Sequence, residues 1–596
     1  MKRITRLCLA WILAVCSVLP VCAWAVGPSV ADTMRGIVDR LYATLSEEQL
    51  VGLDQAAVDA CITNEEQQIL ATKYWYFDVN VPVVVSVMRD KAQLAVPFWL
   101  PAAGFEKTDL EVRNEEYAYE VWRKPFAAGR VELGINGFDK HRPHYFVCVG
   151  PQETGAKLEI TNCYPANQQI LEMREGSTIY HDWSELVLTR VPEELKGQVL
   201  LPTIRGRARE AHLIEAFRRT PFPSSEKPDQ VVLTWSEDPR TTQTVQWRTN
   251  SSVETGIVRY KKKDAGENAE WREEKANFET IEDLFVANDR YCHHFTATLR
   301  GLEPGTAYVY SIGSPANGTR TELSEFTTAP NAPAPFSFVF VSDTHNSPVS
   351  GALLETALER HPDIAFGTNA GDLVNTGQYR DDWDQLFAHS KDFFKQRPLA
   401  PVIGNHDDID GLGADLYLAL FGLPANGPKA LAPERAYSFQ YGNAFFLMLD
   451  SSASIEDQTA WVKEQLAGCT AVWKFAVFHF PPYSPDEDYP EIRREWGTLF
   501  DAYHVDLVLS GHVHYYLRTY PLKNGQRMAT PAEGTIYMIS VAVPERGLKR
   551  KAPEYAAAAD FSGVPLYQLF TINGNRLISR AYDAEGKVCD ELVIEK

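Results

Sequence analysis

Hydrophobic and polar positions along this chain fall into three stretches of different texture. Between residues 26 and 220, TMRGIVDRLYATLSEEQLVGL repeats apolar residues at helical spacing, with Ser46 placed to cap a helix. The later runs YWYFDVNVPVVVSVM and KLEITNCY read as strands. This stretch is predicted as a short helix followed by a β-rich module, and no chemistry is assigned to it. A proline-rich break, TPFPSSEKP (220–228), leads into residues 229–329, where short alternating strands recur: QVVLTW, TVQWRT, GIVRYKKK, HHFTATLRGL and AYVYSIG. A second break, TTAPNAPAP (327–335), precedes residues 336–596. There apolar strands alternate with helix-like segments, which predicts an α/β domain.

The chain has 596 residues, too many for one core, so two to four domains are expected. Acidic residues outnumber basic ones 79 to 58, for a net charge of −21. That balance argues against nucleic acid as a partner, because phosphate backbones need basic surface. It leaves room for a small phosphorylated ligand, since bound metal ions set the local field. The start, MKRITRLCLAWILAVCSVLPVCAWA, joins a basic end to an apolar run and a small-x-small cleavage site at Ala23-Trp24-Ala25. A signal peptide over 1–25 and export to the periplasm or outside the cell are therefore expected. No later apolar run is long enough to span a bilayer. Six cysteines follow residue 25, and Cys148 and Cys163, flanking a hairpin-like segment, are the expected disulfide pair. His141, His144, His181 and His212 lack carboxylates at metal-ligand spacing and are read as structural, as are His293 and His294.

Chemistry concentrates in the third stretch. Five strand-like runs each end in metal-ligating residue types. FSFVFVSDTH delivers Asp343 and His345, DIAFGTNAGD delivers Asp372, and PLAPVIGNHDD delivers Asn405 and His406. KFAVFHFPP delivers His479, and VDLVLSGHVHYY delivers His512 and His514. In open α/β sheets ligands bind beyond the carboxyl ends of strands, so five strands can converge these groups on one site. His512 and His514 would point the same way only if the backbone stayed extended past Gly511.

The order DxH…GD…GNHD…H…GHxH resembles the calcineurin-like binuclear metallophosphoesterases over about 336–596. The preceding domain, with LEPGTAYVY resembling the tyrosine corner of a fibronectin III-like sandwich, makes the purple acid phosphatase branch the nearest likeness over about 229–596. The implied fold is multidomain: a β-rich N-terminal module, a fibronectin III-like β-sandwich, then an α/β domain of β-sandwich sheets flanked by helices. The resemblance implies two metal ions per chain, Fe, Mn or Zn. One would be held by Asp343, His345, Asp372 and His514, the other by Asp372, Asn405, His479 and His512. It also implies a catalytic, substrate-binding role for His406. Arg518 is a candidate phosphate contact, with a salt-bridge role equally open. The implied activity is phosphomonoester hydrolysis of a phosphorylated small molecule. A phosphodiesterase of the same fold and a surface-binding protein with a vestigial metal site remain open.

Two departures stand out. Where the purple branch carries its chromophoric tyrosine this chain has Asn375, and His345 stands where that branch usually has glycine. A colourless protein is therefore expected. After His479, Asp486, Glu487 and Asp488 replace the branch's histidines, which predicts an acidic rim unfavourable to polyanions. Tyr483, in the same loop, is expected to pack rather than to line the pocket.

Overall fold

The computed structural model describes residues 27–596 except 142, 182–185, 267, 317, 332 and 409–412. The leader expected over 1–25 lies outside the described residues. The N-terminal stretch opens with four helices, not one: Val30–Thr44, Glu47–Val51, Gln55–Cys61 and Asn64–Thr72. The predicted helix breaks at Leu45, which is extended (φ −113°), because Ser46 caps a new helix through its hydroxyl and Gln49 closes the capping box. Their apolar faces (Ile37, Val38, Leu41, Val58 and Leu70) pack with Trp75, Phe77 and Val85 in one core. Trp75–Val79 lies between Gly129–Leu133 and Ile160–Tyr164 in one sheet. Val83–Asp90 lies between Ala118–Phe126 and Phe146–Pro151 in a seven-stranded sheet.

This topology corrects the expected disulfide. Cys148 and Cys163 belong to different sheets. Both are free thiols: Cys148 is buried beside Gln198, and Cys163 is partly exposed.

The middle stretch is a sandwich of two four-stranded antiparallel sheets. Tyr308 reaches back so that its hydroxyl accepts a hydrogen bond from Glu303 N at 2.9 Å, pinning the turn that the LEPGTAYVY pattern marks. The third stretch has a six-stranded and a seven-stranded sheet, each with a parallel core: Phe336–Val341, Ile364–Asn369 and Leu399–Pro401 in one, Ala444–Met448, Trp473–Val477, Leu507–Ser510 and Ile536–Ile539 in the other. A stack of phenylalanines joins them. Phe338 lies 4.7 Å from Phe570 and 5.3 Å from Phe475, and Phe446 lies 4.9 Å from Phe475. All four rings are essentially inaccessible, so the two sheets share one apolar core.

The three stretches are clasped by buried ion pairs. Arg248 of the sandwich bonds Asp384 of the α/β unit at 2.6 Å, with both side chains almost fully buried. Arg218 bonds Asp283 and Asp381 at 2.7 and 2.9 Å, and the Thr220 hydroxyl donates to Asp384. Breaking one partner would strand a buried charge, at a cost of about 3–5 kcal/mol. None of the described helices is long and apolar enough to cross a membrane.

Candidate metal centre

The strand ends turn sharply toward one another. Asp343, His345, Asn346, Asp372, His512 and His514 all have left-handed backbone, with φ between 44° and 77°. Such conformations cost roughly 1–3 kcal/mol each for residues with a side chain, and they cluster where function holds them. Two glycines permit the close approach. A methyl group on Gly511 would sit 1.9 Å from Ser342 Oγ and 2.2 Å from Asp343 Oδ2, and one on Gly404 would sit 2.2 Å from Asp372 Oδ1. The backbone at His512 and His514 is therefore turned rather than extended, and the two rings serve different neighbours.

Two donor clusters result. In the first, one atom each from Asp343, His345, Asp372 and His514 lie within 4.8 Å of one another; in the second, Asp372 meets His479 and His512 in the same way. The Asp372 carboxylate is common to both. His345 Nε2 and His514 Nε2 approach to 3.1 Å, and His514 Nε2 lies 3.3 Å from Asp343 Oδ1. His479 Nε2 lies 3.1 Å from Asp372 Oδ2, 2.9 Å from Asn405 Oδ1 and 3.2 Å from His512 Nδ1. The other His479 nitrogen faces the Ala370 carbonyl at 2.9 Å, which orients the ring and directs Nε2 inward. Imidazole nitrogens, carboxylates and one amide oxygen converging at these distances fit a pair of cations.

The electrostatics of the metal-free cluster agree. Burial pushes the Asp372 carboxyl up, but the charge and hydrogen bond of His479 pull it far below the usual range. Asp343 is likewise penalised by burial and still held low by His514 and His479. Burial lowers His479 and His514, yet the facing carboxylates raise both to about 9. His345, more penalised by burial than it is helped by Asp372, is pushed down and kept neutral.

His406 stands at the edge of the first cluster, its ring 4.8 Å from that of His345 and nearly perpendicular to it. Its Nδ1 is 2.7 Å from the Asn375 carbonyl, and its backbone N–H donates to Asp372 Oδ1 at 2.8 Å. Asn375 donates to the His345 carbonyl and to Asn346 Oδ1, so it stitches the loops together and offers no phenolate. Arg518 is not brought to the cluster. Its guanidinium is committed to Asp590 at 2.6 and 2.9 Å, and the Tyr516 hydroxyl donates to the same carboxylate. Of the two roles left open for Arg518, the geometry carries the salt bridge. Tyr483 packs against Tyr537.

Three carboxylates support the cluster in ways the sequence reading did not assign, Glu487 having been read only as part of an acidic rim. Glu487 meets His512 Nε2 at 2.9 Å and Glu545 meets His514 Nδ1 at 2.8 Å, each on the side of the ring facing away from the cluster. Asp407, fully buried, accepts from Leu373 N and Gly404 N, and burial together with Asp372 pushes its pKa up. Only Asp407 was within reach of the motif reading, as the residue after Asn405-His406. The predicted acidic rim is largely neutralised: Arg550 pairs with Asp486 and Arg493 with Asp488.

Comparison with known proteins agrees with this geometry. Residues 336–516 match the calcineurin-like phosphoesterases, and residues 228–328 match the N-terminal domain of purple acid phosphatases. The second and third stretches thus resemble the calcineurin-like phosphoesterases, in their purple acid phosphatase branch. Purple acid phosphatase 23 of Arabidopsis thaliana is 24% identical over 348 residues, covering 50% of this chain and 75% of that protein. An uncharacterized protein of Mycobacterium tuberculosis is 28% identical over 277 residues, covering 38% of this chain and 51% of its own length. The alignments thus span about half of the mycobacterial relative's length. In fold, the purple acid phosphatase PPD1 from yellow lupin (Lupinus luteus) seeds superposes with a TM-score of 0.55 at 14% identity, covering 88% of this chain and 91% of that one.

Proposed function

We propose that this chain is an exported, metal-dependent phosphatase that hydrolyses phosphomonoesters of small molecules. The observation that carries the reading is the Asp372 carboxylate shared by two donor clusters at the mouths of five strands. Asp343, His345, Asp372 and His514 would hold one ion, and Asp372, Asn405, His479 and His512 the other. Bound there, two ions supply Lewis acidity to the phosphoryl oxygens and lower the pKa of a water for in-line attack.

The chain's own residues do the rest. Only two carboxylates face the ions directly, so the site keeps net positive charge and suits a phosphate dianion. With Nδ1 tied to the Asn375 carbonyl, His406 offers Nε2 to the substrate, where it can hold the ester oxygen and deliver a proton to the leaving group. The Ala370 carbonyl, Glu487 and Glu545 orient the histidines and raise their basicity as ligands. Export is supported by the basic and apolar start of the sequence.

Without a tyrosine at position 375 nothing supplies phenolate-to-iron charge transfer, and the iron-loaded protein is expected to be colourless. A visible absorption band of the purple type would contradict the ligand set. The activity is tested by hydrolysis of p-nitrophenyl phosphate against bis-p-nitrophenyl phosphate, with the protein loaded in turn with Mn, Fe and Zn and with Asn405→Ala as control. Monoester preference abolished by the substitution is the expected result. Diester preference would move the assignment to a phosphodiesterase, and turnover no better than the control would overturn it.

A further inference from the structure

The outer edge of the metal centre is latched by two loops. Glu545 reaches His514, and Glu487 reaches His512. The loops are joined to each other by the bidentate Arg550–Asp486 pair, and a Ser484–Tyr515 hydroxyl bond of 3.0 Å holds the second against the HVHYY segment. The loop that starts at Glu545 therefore runs from the His514 side of the cluster toward the His512 side. It is also anchored through its backbone, with Glu545 N donating to Gly563 O and Leu548 N to Phe561 O at 2.9 and 2.8 Å.

That loop reads ERGLKRK over 545–551. Arg550 is engaged by Asp486. Arg546, Lys549 and Lys551 are exposed, and among the described residues no acid forms an ion pair with them. The next acid along the chain is Glu554. In a chain of net charge −21, three uncompensated cations within six residues, anchored beside the metal cluster, are a local reversal of sign. Their long side chains and a screening length of about 8 Å let them act on an anion held at the cluster edge. The phosphoryl group itself is provided for by the metal ligands and His406. What these cations add is attraction for a charge elsewhere on the same molecule.

We infer that Arg546, Lys549 and Lys551 form a recognition arm for a second anionic group on the substrate, a carboxylate or a further phosphate. The inference rests on the phosphatase reading above and names its substrate class: phosphomonoesters that carry another negative charge. Exposed cations attract and orient more than they stabilise a transition state, so the arm acts on substrate capture and KM and leaves kcat largely alone.

The test compares the native protein with R546Q/K549Q/K551Q, which keeps Glu545, Arg550 and every proposed metal ligand. Binding of three non-hydrolysable probes to the metal-loaded protein is followed by calorimetry: methylphosphonate, phosphonoacetate and methylenebisphosphonate. The Kd of phosphonoacetate, methylenebisphosphonate or both should rise about tenfold in the variant, while that of methylphosphonate stays within about twofold. Loss for phosphonoacetate alone assigns the second group as carboxylate, and loss for the bisphosphonate alone assigns it as phosphate. The native preference should also weaken with added salt, and the variant's should not. Equal loss for all three probes, or no loss for any, would overturn the arm. Because binding is read without turnover, inactivity on p-nitrophenyl phosphate would count against the phosphatase reading and leave this result to stand or fall separately.

Discussion

Two groups of histidines in this molecule, all buried except the partly exposed His514, make a controlled comparison. His144 and His212 lie in the N-terminal module among Arg207, Arg209 and Lys140, and burial together with these cations pushes them down to about 3 and about 4. His479 and His514 lie at the strand ends of the α/β unit, and the same burial is overridden by Asp372 and Asp343, which raise both to about 9. Residue type and desolvation are shared. The facing carboxylates decide whether a buried imidazole is a neutral packing group, as His144 is on Tyr74, or part of a site with an unmet demand for positive charge. That difference marks one cluster as a candidate metal centre and the other as core.

The comparison breaks hardest at the shared carboxylate. Asp372→Asn removes a ligand from both clusters, and phosphatase activity should fall by about 10³-fold or more with loss of bound metal. An active D372N protein with full metal content would erase the distinction drawn between the two groups. His406→Ala probes the chemistry without the ligand set. Here kcat should fall about 10²-fold while metal content is unchanged, and loss of metal would recast His406 as a support for Asn405. Glu545→Gln tests whether a carboxylate behind the ring matters as well. Metal affinity should weaken about tenfold, read by competition with a chelator.

The smallest effect is on stability, and it has opposite signs in the two groups. Unfolded histidine titrates near 6.5. In the metal-free protein His479 and His514 keep their protons to about 9, so the stability they contribute is full below pH 6.5 and lost as pH rises toward 9. His144 and His212 stay neutral in the folded state down to about 3 and 4, so their contribution is present above pH 6.5 and lost as pH falls toward 4. Loading metal should raise Tm at pH 9 by at least about 2–4 °C and flatten the alkaline limb, leaving the acid limb unchanged. An alkaline limb that persists in the loaded protein would contradict the assignment of these histidines as ligands.

The candidate metal centre was legible in the sequence because each candidate ligand sits in a short motif at the end of an apolar strand, where topology alone brings strand ends together. What supports those residues was not. Glu545 meets His514 across 31 residues with no periodic relation, through a loop whose path depends on pairing with Phe561 and Gly563. Glu487 was read as part of a repulsive rim, because a sequence shows charges without showing that Arg550 and Arg493 neutralise its neighbours. The N-terminal module was legible only as a short helix followed by a β-rich segment. Its strands pair out of chain order, with Val83–Asp90 between Ala118–Phe126 and Phe146–Pro151, and the expected Cys148–Cys163 bridge assumed a hairpin that this order forbids.

The most direct test of the central claim is the metal content per chain, measured by elemental analysis after exhaustive dialysis and reloading. Native protein, Asp372→Asn and the His144→Gln/His212→Gln double variant are compared. The account predicts about two ions in the native protein, about one or fewer in D372N, and about two again when the N-terminal histidines are replaced. Fewer than one ion in the native protein, or metal lost from the N-terminal variant with its fold intact, would contradict it.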